Sequence, residues 1–269
     1  MGSENHRVSG VKTLARAATV ALLEELATTP KPGLVDGNDA GAHRDLCYDR
    51  LSTSALALES VFVELADVAR SAPITRDLRE EIGEIGRRGE RTMLVASGGS
   101  NTHRGALWAL GLLVVARSSL DAANADAIAL RAGDIARIPD RFAKLEHSNG
   151  NAAMRRYGAQ GARSEAAAGF PHVRTIALPA LRAGEPSPNV LLRLMASLDD
   201  TCLYHRGGTA AVRAARAGAR KSLALGGVAT REGRRAIDRL DRALLARNAS
   251  PGGCADLLAA AMFLTAISA

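Results

Sequence analysis

The chain has 269 residues, 47% hydrophobic and 23% charged, so it holds enough apolar side chain for a sizeable core and is neither disordered, collagen-like nor a disulfide scaffold. Its formal charge is +7, nearly all from arginine because lysine occurs only at Lys12, Lys31, Lys144 and Lys221; this suits anionic partners without choosing among nucleic acid, phosphorylated metabolites and acidic proteins. With 1 Trp, 3 Tyr and 4 Phe against abundant Ala, Leu, Arg and Glu, the composition favours helix over strand.

Residues 1–10 lack an apolar leader and are expected to be a flexible N-terminus, with residues 11–269 as one all-α catalytic domain. Over residues 11–26, Val11, Leu14, Ala18, Leu22 and Leu26 recur at spacings of three and four, the period of a helix with one buried face. Pro30, Pro32 and Gly33 end it, and a Gly-, Asp- and Asn-rich loop runs to about Asp49. Helical patterns follow at residues 53–70, 78–96, 102–120 and 125–138, an irregular stretch spans 147–161, and helices return at 163–168, 172–182, 187–205, 213–223, 231–247 and 253–266. Ser187 and Pro188 open one of these as N-cap and first helical residue. About ten helices in a single compact domain are expected. Residues 105–116 and 257–269 are uncharged and apolar yet shorter than the roughly 20 residues that cross a bilayer, so they read as helices buried on most sides. Cys47, Cys202 and Cys254 are odd in number and far apart, which points to a reducing, cytoplasmic setting.

Glycines and polar residues collect in short blocks between these helices, as in a site built from loops and helix ends. The first block holds Lys31 between two prolines, then Asp36, Asp39, His43 and Asp45. It reads either as a turn-rich connector with water-facing acids or as a loop presenting a cation and possible bases. In the second, Gly98 and Gly99 precede Asn101, Thr102, His103 and Arg104 at the start of an apolar helix. Positive side chains there oppose the helix dipole, so either solvent screens them or something negative, such as a bound phosphate, compensates. The third, residues 157–165, brings Arg163 and Glu165 to a helix start, Glu165 being suited to a cap. In the fourth, a stripe of Leu191, Leu194, Met195, Leu198 and Cys202 leads to the adjacent Asp199 and Asp200 and then His205 and Arg206. Two acids late in a helix repel each other and the dipole, which a divalent cation would relieve and plain exposure would tolerate. The fifth, residues 250–256, places Asp256 at the entry of the last helix, an ordinary dipole partner.

A zinc site drawn from His43, Cys47, Cys202 and His205 has little support, because nothing brings its halves together. Nucleic-acid binding fares no better: the basic stretch 231–247 interleaves Asp238 with Arg234 and Arg242 as a solvated face does, and aromatics for base stacking are scarce.

Taken in order, the segments PKPGLVD with GAHRDL, GGSNTHRGALWALGLL, YGAQGARSEAAAGFP, LMASLDDTCLYHRGG and SPGGCADLLA resemble the triphosphoribosyl-dephospho-CoA synthase family over about residues 24–264. That family is all-α. The resemblance implies a transferase that joins ATP to 3′-dephospho-CoA through a ribosyl bond to the 2′-hydroxyl and releases adenine. The product is the precursor of the prosthetic group on the acyl carrier protein of malonate decarboxylase or citrate lyase. Cys202 looks more like the malonate decarboxylase branch, where the citrate lyase branch tends to have Asn; Trp108 and Leu46 are apolar departures from the expected pattern. Such a reaction builds positive charge on the ribose and needs a base, a donor toward adenine and cations for the triphosphate. The polar blocks supply such groups: Lys31, Asn101, His103, Arg104, Arg163 and Arg206 are the candidates for substrate and phosphate binding, and Asp199 and Asp200 for Mg²⁺. Asp36, Asp45 and Glu165 are the carboxylates from which the base comes, unranked, while the acid is unassigned. A downstream holo-acyl-carrier-protein synthase is the expected partner, with no nucleic acid and no membrane. The rivals are a Mg²⁺-dependent nucleotide or ADP-ribose glycosidase-like hydrolase and a non-catalytic nucleotide-binding helical protein.

Overall fold

A computed structural model describes residues 2–70, 72–121, 123–143 and 149–268, with only the backbone of 2–9. Lys144 and His147, and with His147 the start of the expected irregular stretch, lie outside them. Among the described residues there are thirteen α-helices and no strand, the all-α architecture expected from composition.

Helices α1 (Gly2–Ala27), α2 (Tyr48–Ala57), α3 (Glu59–Ala69) and α4 (Arg76–Ala96) come first, followed by α5 (Arg104–Ser118) and α6 (Ala125–Arg137). Two short helices, α7 (Asn149–Tyr157) and α8 (Ala162–Ala167), precede a π-helical turn at Val173–Ala177 and α9 (Leu178–Arg182). The chain ends through α10 (Ser187–Ser197), α11 (Thr201–Ala224), α12 (Arg231–Leu245) and α13 (Gly252–Ile267).

The two uncharged stretches form the centre. From Ala109 to Ala116 every residue of α5 is buried, as is every residue of α13 from Leu257 to Leu264. A helix apolar all round has no face for water, so it must be wrapped by others; α5 packs on α3, α6 and α13, and α13 also meets α1, α9 and α10. By contrast α12 is one-sided, burying Ala236, Ile237, Leu240 and Leu244 against α11, where Gly218 leaves room for the Leu240 side chain. No helix of the described residues is long and apolar enough to cross a membrane.

Four boundaries differ from the periodicity. The helix expected over 53–70 turns at Leu58 into α2 and α3; both pack on α1 and α4, and the turn lets α3 also lie against α5. Within the expected irregular stretch, residues 149–157 are helical because Ala153 finds a buried place and α7 lies along α11, contacts that outweigh the Asn and Gly turn signals. The helix expected over 187–205 stops at Ser197, Leu198 is extended, and Asp200 becomes the N-cap of the next helix. An Asp side chain offers free amides an acceptor that continued helix would not, which favours a fresh start at this point. Residues 213–223 belong to that same α11, which bends at Gly208 (φ 61°, ψ −161°), a conformation that a side chain would strain.

Candidate active site

Three of the helices that carry the polar blocks point their N-termini at one place. Asp200 joins two of them: Oδ1 accepts from the amides of Cys202 (2.8 Å) and Leu203 (3.3 Å) at the start of α11, and Oδ2 accepts from the Cys254 amide (2.9 Å) in α13. Close approach is possible because residue 253 is glycine, where an added Cβ would sit 3.2 Å from the Asp200 carboxyl carbon. The third helix is α5. Asp256, in the second turn of α13, lays its carboxyl against the first turn of α5, in space that a Cβ on Gly105 would occupy, with the Ala106 amide facing it. Aligned peptide dipoles give each of these helix starts a partial positive charge, the usual setting for an anionic group.

The carboxyls gathered here perturb one another. Burial raises the pKa of Asp200, although its backbone hydrogen bonds oppose the rise. Asp256 is pushed well above the ordinary carboxylate range, first by burial and then by the charges of Asp200 and Glu25. Burial likewise holds the thiols of Cys202 and Cys254 in the protonated form. Asp256 is nonetheless partly exposed and Cys202 exposed, so this group of side chains reaches the surface.

Glu25 projects from the buried side of α1 and is neutralised by Lys31, whose Nζ lies 2.7 Å from its carboxylate and 2.9 Å from its carbonyl oxygen. His103 is close to this pair and is buried. Its Nε2 meets the Leu51 carbonyl oxygen at 3.0 Å, an acceptor only, so Nε2 carries the hydrogen. Burial keeps that imidazole neutral by lowering its pKa.

A second group forms the rim beside the start of α13. Arg206 donates to the carbonyl of Ala42 (2.8 Å) and to Nδ1 of His43 (3.2 Å), and His43 Nε2 lies 3.0 Å from Ser250 Oγ. Since a guanidinium only donates, Nδ1 accepts and Nε2–H points to Ser250. Burial, reinforced by the Arg206 charge, lowers the His43 pKa to about 4. The unfolded chain, with an ordinary value of 6.5, therefore takes up its proton first as the pH falls. His43 favours the fold fully above pH 6.5 and progressively less down to about pH 4. Thermal melts at pH 7 and pH 5 should show a smaller acid-induced loss in His43→Asn than in the wild type; an equal loss would place the effect on other groups.

The residues singled out from sequence thus fall into distinct settings. Lys31, His103, Asp200 and Arg206 gather around these helix starts, as does the Glu25 that the sequence reading passed over. Arg104 finds its negative partner in the protein, with Nε 3.1 Å from Glu90 of α4, while Asn101 accepts from the Arg104 amide at 3.3 Å. Arg163 lies 5.7 Å from the ring centroid of Trp108, which also faces Arg79 at 5.4 Å. Asp36 is buried and accepts from the amides of Lys31 (2.9 Å), Asn38 (2.7 Å) and Asp39 (3.3 Å), the bonding of a tight Asx turn. Glu165 gives both oxygens to His172, at 2.8 Å to its amide and 2.8 Å to Nδ1. Asp45 is exposed and stands 3.9 Å from His43 Nδ1.

Asp199 and Asp200 part company. Asp199 pairs with Arg216 at 2.7 Å and accepts from the Tyr204 hydroxyl at 3.3 Å, whereas Asp200 turns inward to its three amides. The two carboxylates thus face different partners, and among the described residues no group of three His, Cys, Asp or Glu is arranged around one point.

Helix N-termini that meet around carboxyls, with an arginine nearby, make a setting suited to an anionic ligand. The sequence profile of the ATP:dephospho-CoA triphosphoribosyl transferase family matches residues 11–269. The chain belongs to that family, and it is a transferase. It is 46% identical to the 2-(5″-triphosphoribosyl)-3′-dephosphocoenzyme-A synthase of Klebsiella pneumoniae, over 98% of this chain and 97% of the relative. A probable synthase of the same kind from Pseudomonas syringae pv. syringae is 47% identical over 96% of this chain and 92% of the relative. Another from Pseudomonas aeruginosa is 47% identical over 95% and 91%. No solved structure matches the chain.

Proposed function

We propose that the protein transfers the triphosphoribosyl unit of ATP to the 2′-hydroxyl of 3′-dephospho-CoA and releases adenine. The observation that carries this reading is the meeting of the α5, α11 and α13 N-termini around Asp200 and Asp256, which pairs an anion-attracting field with carboxyl chemistry in one cleft. Arg206 is the cation for the triphosphate, with Arg104 at the start of α5 and Arg163 at the start of α8 as further cations; Lys31 and His103 shape the site through Glu25 and Leu51. We read Mg²⁺ as arriving with ATP, held mainly by phosphates and water, because Asp200 gives both oxygens to backbone amides and Asp199 is paired with Arg216 through Oδ1. Asp36 and Glu165 are likewise occupied, which leaves Asp45, beside His43, to take the hydroxyl proton.

The product then passes to a holo-acyl-carrier-protein synthase, and Cys202 inclines the reading toward the malonate decarboxylase pathway rather than citrate lyase. Three free thiols fit a cytoplasmic setting.

Incubation with ATP, Mg²⁺ and dephospho-CoA should release adenine, followed by chromatography, only when both substrates are present. Equal release from ATP alone would identify a hydrolase, and no release from folded protein would identify a binding module.

A further inference from the structure

The reaction proposed above, on which this inference rests, breaks the bond between the ribose C1′ and N9 of adenine. A purine departs far more readily if a ring nitrogen takes a proton as the bond breaks. The residues expected from sequence do not offer one: Lys31 is bound to Glu25, His103 gives its ring hydrogen to Leu51, and a guanidinium does not deprotonate.

Asp256 differs from all of them. Its carboxyl stands in the gap left by Gly105 at the start of α5, and the absent Cβ is what admits it. Asp200 of the α11 cap and Glu25 of α1 are its charged neighbours, the Ala106 amide meets it, Cys202 and Cys254 are close by, and Lys31 and His103 adjoin Glu25. Among the described residues no basic side chain forms an ion pair with it, whereas Glu25 has Lys31 and Asp200 has three amides. Two neighbouring carboxyls do not both ionise readily, and the one richer in amide donors keeps the negative charge. Of the two, Asp256 is therefore the carboxyl that holds a proton more readily, in line with the upward push on its pKa from burial and from Asp200 and Glu25.

We propose that Asp256 is the catalytic acid that hands its carboxyl proton to the departing adenine. The 2′-hydroxyl oxygen forms a bond to C1′ as the C1′–N9 bond breaks, and that electron pair moves into the purine. The Asp256 proton goes to purine N7, so adenine leaves neutral. The hydroxyl proton passes to Asp45 and on to solvent, from which the Asp256 carboxylate recovers its own through the open side of the cleft. Atoms and charge balance without any added reagent.

Asp256→Asn keeps the shape and removes the acid. At saturating ATP and dephospho-CoA its kcat should fall about 10²–10⁴-fold, the usual contribution of a positioned acid. With N7-methylated ATP, whose base leaves neutral without a proton, variant and wild type should agree within about tenfold. Equal losses on both substrates would overturn the assignment, as would undiminished turnover of ATP by the variant. Should the variant not fold, the wild type decides: kcat for ATP falls at high pH as Asp256 ionises, while kcat for the methylated substrate stays flat, and parallel profiles would overturn the proposal. Wild-type protein that transfers nothing to dephospho-CoA would instead sink the reading of the reaction itself.

Discussion

Lys31→Met is expected to destabilise the protein by about 3–5 kcal/mol, the range for removing one partner of a buried ion pair. The side chains of Lys31 and Glu25 are 1% and 7% exposed, so water does little to screen either. Methionine fills much of the lysine volume but leaves Glu25 as an unpaired carboxylate beside Asp256, whose pKa its charge already lifts. The loss should therefore come from the stranded charge rather than from lost packing. The double variant Lys31→Met with Glu25→Gln tests this directly, since it removes the charge as well and should recover most of the stability in urea titrations. If Lys31 instead serves chiefly as a phosphate ligand, the single variant keeps its stability and shows a raised KM for ATP. A loss below about 1 kcal/mol would place the pair in the energetics of solvated surface bridges.

The sequence showed the fold more fully than the site, for a physical reason. A helix with Val11, Ala18, Leu22 and Leu26 on one face declares itself through local spacing, and apolar runs such as those in α5 and α13 declare that they are buried. Caps are harder to read. Asp199 and Asp200 read as the late turns of one helix, yet Asp200 starts the next, because one of its oxygens serves the adjoining amides and the other an amide 54 residues further along the chain. Spacing carries no information about Cys254. Glu25 was legible in principle, since it falls three residues after Leu22 and thus on the buried face, a costly place for an unpaired acid. Asp256 was visible as a dipole partner, but its proximity to Glu25 and Gly105 depends on how α1, α5 and α13 pack. Arg163 had a phosphate-binding expectation but no structural reason in the sequence; the fold supplies one by setting its guanidinium against the ring of Trp108.

Asp200→Ala tests whether that inward carboxylate holds the cleft together or serves a metal. Alanine leaves the amides of Cys202, Leu203 and Cys254 without their acceptor. A lost N-cap costs about 1 kcal/mol, and an unsatisfied buried amide about 1–3 kcal/mol more, so a loss of roughly 2–4 kcal/mol is expected. For a chain of this size that corresponds to a fall in Tm of roughly 5–15 °C. Asn is the informative companion: its single carbonyl oxygen can accept from α11 or from α13, but its amide nitrogen cannot accept from the other. Asp200→Asn should therefore be intermediate in stability, with the released helix start drifting from the cleft and raising KM for ATP more than it lowers kcat. Added Mg²⁺ should restore neither variant, because what is missing is an acceptor for N–H groups. Substantial rescue of Asp200→Asn by Mg²⁺, with an unchanged melting temperature, would mean that the carboxylate meets a cation after all and that its bonds to the two helix starts are secondary.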